Sequence, residues 1–223
     1  MSLILHLETS TKSCSVALSE NGELIALEEI HTAEFTHAEN LTVFIQKVML
    51  SAGKEMKELK AVSVSSGPGS YTGLRIGVST AKGLCYALEI PLIAVDSLIS
   101  LAVLARQKYR GKKICSMIDA RRMEVYSAIY DEESNLLKPI SADILDEQSY
   151  QEFEPFVAVG DATDKMIDVW SSRNVSIDNE LKASARGQIE IAYQKFDNKE
   201  FEDVAYFEPF YLKEFIAGKP KGN

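Results

Sequence analysis

The sequence predicts an α/β fold of two lobes, each built on a mixed sheet flanked by helices. Two observations carry this expectation. The N-terminal part reads β-β-β-α-β-α-β, an order that combines antiparallel hairpins with parallel crossovers, and a new strand pair begins after a Gly111-Lys112-Lys113 turn. The chain has 223 residues, enough to bury a core in one large domain or two small lobes.

Leu3 to Leu7 is a short apolar run, followed by the polar turn Glu8-Thr9-Ser10-Thr11-Lys12-Ser13. Cys14 to Leu18 is the next strand candidate. Asn21-Gly22 marks a hairpin, because both residue types tolerate the positive φ that tight hairpin turns require. Glu23 to Ile30 completes three strands, the opening of an actin-like nucleotide-fold lobe. Thr36 and Glu39 form a capping box for a first helix. Its apolar face is Leu41, Phe44, Ile45, Val48 and Met49, and Gly53 supplies the C-cap. Ala61 to Ser65 reads as a buried strand, and the Gly67-Pro68-Gly69-Ser70 turn leads into a second helix from Tyr71 to Leu88. Pro91 to Val95 is the following strand, with Asp96 or Ser97 capping a third helix to about Tyr109.

Lys113 to Asp119 and Glu124 to Tyr130 read as a strand pair joined by Ala120-Arg121-Arg122-Met123. Beyond them the sequence suggests a strand near Phe156 to Val159, a helix near Ala185 to Phe196 and an aromatic end. The expected division is an N-terminal lobe over 1–100, carrying partner-binding helices, and a C-terminal lobe over 101–223. The boundary falls within 96–110, and the C-terminal segment could pack back on the first lobe.

Lys and Arg number 24 against 33 Asp and Glu, a net charge of −9. Such a surface repels phosphates, so contact with RNA is expected only through a more basic partner or a local basic patch. The pairs Lys112-Lys113 and Lys219 with Lys221 read as solvated loop and tail. Cys14, Cys85 and Cys115 have no CxxC spacing and read as small buried hydrophobes. No signal peptide or long apolar window stands out, so a soluble, cytoplasmic chain with no membrane partner is expected.

The glycine-rich turn fails the phosphate-loop pattern. Gly67 and Gly73 are six apart, and Leu74 stands where lysine is needed. Gly73, Gly77 and Ala81 share one face of the second helix, which invites a close approach by another element. That element is either the protein's own sheet or first helix, or a partner subunit. His37 has Leu41 one turn later, so no imidazole pair forms and no metal site is expected. Glu8-Thr9-Ser10-Thr11 is similar to the hydroxyl-rich phosphate turn of actin-like ATPases, with Glu8 in the place of the usual Asp. Asp119 holds the corresponding place in the second lobe, where Arg121, Arg122 and Met123 crowd what is normally a glycine-rich turn. A charged β-turn between strands is the alternative there. His6 reads as core and Asp131-Glu132-Glu133 as a solvated turn. No Ser/His/Asp or Cys/His set emerges, so no catalytic residue is expected.

Four stretches together resemble the TsaB (YeaZ) family: LHLETSTKSCSVAL from Leu5, the helix begun at His37, SSGPGSYTGLRIGVSTAKGL from Ser65, and IDARRMEVYSAIY from Ile118. The ending EPFYLK from Glu208 is similar to the family's closing motif. The resemblance implies an actin-like ATPase fold (ASKHA, ribonuclease H-like). It also implies a noncatalytic scaffold or activating subunit that pairs with a TsaD-type catalytic subunit and a TsaE-type ATPase. Together these transfer threonylcarbamoyl to N6 of adenosine 37 in tRNAs reading codons that begin with A. In this reading His37, Leu41, Tyr71, Gly73, Gly77 and Ala81 form the partner interface. Glu8, Thr9, Ser10, Thr11 and Asp119 are the nucleotide-contact candidates. No cofactor is expected on the chain alone, ATP and magnesium belong to the complex, and tRNA is met only through it. The glycine face could also serve a homodimer when the partner is absent. Glu8, Met123 and Lys213 depart from the family's usual Asp, Gly and Arg. The alternatives are a free-standing ATP-dependent kinase, which needs tight Mg-ATP binding, and a metallopeptidase, which needs the missing histidine.

Overall fold

The computed structural model describes residues 2–32 and 37–213. The Thr36 half of the capping box, Lys219 and Lys221 lie outside them. Two five-stranded sheets form the frame. The first contains β1 (Leu3–Glu8), β2 (Ser13–Glu20), β3 (Glu23–His31), β4 (Ala61–Ser65) and β5 (Leu92–Val95), in the order β3-β2-β1-β4-β5. β1-β2-β3 is an antiparallel meander, and β4 and β5 run parallel to β1.

The second sheet contains β6 (Lys113–Asp119), β7 (Glu124–Tyr130), β8 (Leu136–Ile144), β9 (Phe156–Val159) and β10 (Val175–Asp178). Its order is β10-β9-β6-β7-β8, which is the order of the first sheet read strand for strand. β6-β7-β8 is again an antiparallel meander with two parallel strands beside it. This pairing of mixed sheets with flanking helices is the actin-like ATPase architecture.

The helices differ between the sheets. α1 (His37–Ser51) and α2 (Tyr71–Leu88) cover one face of the first sheet, where Leu41, Phe44, Ile45 and Val48 meet Leu3, Leu5, Leu7, Val62 and Val64. α1 ends with Gly53 at φ 64, where Gly53 N–H bonds Leu50 O and Lys54 N–H bonds Met49 O. Glycine adopts this left-handed turn without the Cβ penalty. The opposite face is closed by α4 (Ile189–Asp197), whose Ala192 packs on Ile4, Ala61, Ile93 and Val95. A sheet covered on both sides has continuously apolar central strands, as β1 and β4 show. α3 (Ser97–Lys108) packs on the second sheet, placing Leu98, Leu101 and Ala102 against Ile114, Ile118 and Val159. The Asp96 carboxylate is its N-cap, accepting from Leu98 N–H at 2.8 Å and Ile99 N–H at 3.0 Å.

Two strands are not legible in the sequence. β8 is an edge strand, half-exposed along its length and interrupted by Pro139, and β10 has only four residues. The helix expected at Ala185 begins as a 3₁₀ turn over Ala185–Gln188 before α4. After α4 the chain returns along the first sheet, with Phe210 N–H bonding Ser66 O at 2.7 Å. It then inserts Leu212 beside the core of the second sheet.

Candidate functional site

The turn after β1 is where the sequence places a phosphate-binding candidate. Glu8, Thr9, Ser10 and Thr11 are all buried. Ser10 N–H donates to Glu8 Oε1 at 2.7 Å, and Ser10 Oγ donates to the same oxygen. Ser65 and Gln188 side chains also hydrogen-bond the Glu8 carboxyl, while Thr9 N–H donates to Ser65 Oγ at 3.2 Å. Burial raises the Glu8 pKa above the usual carboxylate value, and these hydrogen bonds offset part of the rise. His6, one turn of the pleat away, is held neutral by burial, with its pKa down to about 3. The Thr9 N–H and both the N–H and hydroxyl of Ser10 are therefore engaged inside the protein, while the buried Thr9 hydroxyl has no hydrogen-bond partner among the described residues.

The turn is sealed by the glycines of α2. A Cβ added at Gly69 would overlap the Ser10 carbonyl, one at Gly73 the Thr9 carbonyl, and one at Gly77 the Thr9 hydroxyl. The ring of His37 lies 3.2 Å from the same Gly73 position, and His37 Nε2–H donates to the Thr11 carbonyl at 2.8 Å. Five of the six residues of the expected partner face lie inside the chain. His37, Leu41, Gly73, Gly77 and Ala81 are buried within the chain, and the small-residue stripe accommodates the β1–β2 turn. Tyr71 is half-buried and stacks on Tyr211 at 4.9 Å, with the Arg75 guanidinium 4.2 Å from its ring.

What α1 and α2 present to solvent is a neighbouring surface. Val43, Leu50 and Tyr86 are exposed apolar residues, and Tyr86 is 84% accessible. Ser79 and Gly83 lie on the outer side of α2, and a Cβ at Gly83 would meet open space. A groove lined by Lys82, Gly83, Tyr86, Asp203, Val204 and Ala205 adjoins this surface.

Asp119 occupies the equivalent position after β6, and its surroundings are unlike those of Glu8. Its carboxylate accepts from Lys165 Nζ at 2.6 Å and from Arg121 N–H at 2.9 Å, near solvent. The half-buried carboxyl of Asp161 accepts from Asp119 N–H at 2.9 Å, and desolvation raises its pKa. Lys12, next to the first turn, is near enough to Asp161 for its charge to be felt there. Arg121 and Arg122 have φ of 73° and 52°. Side chains in this region cost roughly 1–2 kcal/mol each relative to ordinary backbone. The sequence singles out this turn by its bulk. Its strain, and the pinning by Asp161 and Lys165, depend on contacts no local pattern carries.

Among the described residues no group of three or more His, Cys, Asp or Glu side chains is placed to hold a metal. All three cysteines are free and buried. No helix of the described residues is long and apolar enough to cross a membrane.

The family model of TsaD, tRNA N6-adenosine threonylcarbamoyltransferase, matches residues 31–213. The tRNA threonylcarbamoyladenosine biosynthesis protein TsaB of Escherichia coli K12 is 32% identical over 228 aligned positions, covering 97% of this chain and 96% of that protein. The solved structure of YeaZ from Pseudomonas aeruginosa superposes with a TM-score of 0.80 at 27% identity, over 95% of this chain and all of the other. The activator of 2-hydroxyisocaproyl-CoA dehydratase from Clostridium difficile, solved with bound ADPNP, shares the fold alone. Its TM-score is 0.51 at 11% identity, over 90% of this chain and 98% of the other.

Proposed function

The chain belongs to the TsaB family, and on that premise we propose that it is a noncatalytic subunit of a tRNA threonylcarbamoyladenosine-forming complex. It pairs with a TsaD-type catalytic subunit, works with a TsaE-type ATPase, and acts in the cytoplasm. A role in this modification pathway follows from the whole-length match to a protein named for it. The single observation that supports the noncatalytic part is the closed first turn, where Glu8, Ser10, Ser65 and Gln188 satisfy one another. A turn whose carboxyl and serine are already engaged inside the protein is poorly placed to receive a triphosphate.

The partner surface in this reading is the outer side of α1 and α2, around Val43, Leu50, Ser79, Gly83 and Tyr86. Exposed apolar residues of this size on adjoining helices, with small residues between them, suit a packed helix contact. Without its partner the same surface could close on a second copy.

The test is co-purification with the TsaD-type and TsaE-type proteins of the same cell, then tRNA modification with each subunit omitted in turn. Modification should need this chain and should not be supported by it alone. Full activity without it would sink the proposal. Gly83→Arg sharpens the test, because a side chain there meets open space and the fold should survive. Capture of the TsaD-type subunit should be lost, and intact capture would remove this surface from the reading.

A further inference from the structure

We propose that the β6–β7 turn, Arg121-Arg122-Met123, is a contact for RNA phosphates through which this chain helps the assembled complex hold tRNA. The proposal rests on the tRNA-modification reading and adds a site to it.

The turn is strained, and the strain is imposed from both sides. Arg121 and Arg122 are successive residues in the left-handed region, which glycine enters freely and arginine does not. Asp119 Oδ1 takes the Arg121 N–H, and Ala120 N–H donates to Glu124 O at 3.1 Å. Lys165 Nζ ties the two strand ends together, donating to Asp119 Oδ1 at 2.6 Å and to Glu124 O at 2.8 Å. Glu124 N–H closes the turn on the Arg121 carbonyl at 3.2 Å. Arg121, Arg122 and Met123 are exposed, and among the described residues neither guanidinium makes a hydrogen bond or ion pair. Strain held in place by surrounding bonds and presenting unpartnered groups is the signature of a contact surface.

The charge around the turn is cationic in a chain whose net charge is −9. The carboxylates facing it are Asp119, Glu124 and Asp161. Asp119 is taken by Lys165, and Glu124 by Lys213, whose ammonium also lies 6.0 Å from the Tyr126 ring. Asp161 is half-buried and feels the charges of both Lys12 and Lys182. Arg121 and Arg122 remain in excess. With a net charge of −9 over the whole chain, contact with RNA needs a local basic patch, and this turn offers one. A guanidinium fork matches the paired oxygens of a phosphate and stays charged at any working pH.

The experiment measures tRNA binding by the complete complex across a range of KCl concentrations. The variant Arg121→Gly with Arg122→Gly places glycine where positive φ is free, so its melting temperature should hold or rise. Its tRNA Kd should rise about tenfold, and the slope of log affinity against log salt should fall by roughly one to two phosphate contacts. Arg121→Lys with Arg122→Lys keeps the charge and should restore most of the affinity and the slope. An unchanged Kd and slope in an intact complex overturns the site while leaving the functional reading in place. Loss of the TsaD-type subunit from the glycine variant makes the turn a protein contact and also overturns it. A wild-type complex that neither binds nor modifies tRNA removes both proposals together.

Discussion

The β1–β2 and β6–β7 turns hold the same place in two sheets of identical strand order, yet one is core and the other is surface. The difference lies in the element that succeeds the parallel strand beside each. After β4 comes α2, an 18-residue helix whose Gly73 and Gly77 let it settle directly on Thr9. After β9 comes only a 3₁₀ turn over Thr163–Met166, which reaches the β6–β7 turn with the single side chain of Lys165. A helix without Cβ atoms at the crossing turns a hydroxyl-rich loop into a sealed, neutral joint. A short turn leaves its counterpart in water, charged and strained. Two sheets can therefore share a topology and differ in how their matching turns are covered by the length of one connection.

The largest test of this comparison is Gly77→Leu. The new side chain would drive into Thr9 from a helix held at both ends, costing about 3 kcal/mol and lowering the melting temperature by roughly 6–12 °C. A melt within a degree or two of wild type would show that the crossing is looser than described. Glu8→Ala comes next. It strands the Ser10, Ser65 and Gln188 donors away from water, for a loss of about 2–3 kcal/mol in a denaturant titration. Asp119→Ala removes the corresponding carboxylate in the second lobe. With Asp119 partly solvated, that loss should be about 1 kcal/mol or less, and equal losses would erase the distinction between the turns.

The first turn also responds to pH. Glu8 binds its proton more tightly when folded than when unfolded, so its contribution to stability grows as pH falls from above its raised folded pKa toward its unfolded value near 4.5. His6 acts in the opposite sense, costing stability as pH drops below 6.5 because the unfolded chain protonates first. The difference between wild type and Glu8→Gln isolates the carboxyl. Wild type should gain on the variant between pH 7 and pH 5 in matched melts, and a constant gap would mean that Glu8 is ionised in the fold. The smallest effect is Arg122→Gly alone, expected to stabilise by about 0.5–1 kcal/mol through relief of the positive φ. A loss of stability would show that the arginine side chain supports the turn.

Much of this is readable from local pattern. The Asn21-Gly22 hairpin, the five apolar positions of α1, the Gly53 stop and the span of α2 all come from periodicity and turn chemistry within a dozen residues. Glu8-Thr9-Ser10-Thr11 and Ala120-Arg121-Arg122-Met123 are also recognisable as matching turns. The role of each turn is not legible. A small-residue stripe announces that something comes close without saying what, and Gly77 meets Thr9 from far along the chain. Gln188, which donates to the Leu7 carbonyl at 2.9 Å and bonds the Glu8 carboxyl, carries no sign of that role in its own segment. β8 and β10 escape because an exposed edge and a four-residue strand have little periodicity to read.

The sequence by itself determined the order of strands and helices from β1 to β7, the Gly53 stop and the family, since each rests on residues that are neighbours along the chain. Only the tertiary structure decided that the glycine face of α2 is internal, that Glu8 is buried with its donors, and that Arg121 and Arg122 stand strained in solvent. The reason is physical. Propensity and periodicity act over one or two turns, whereas burial and charge environment are set by whichever distant segment packs on a site.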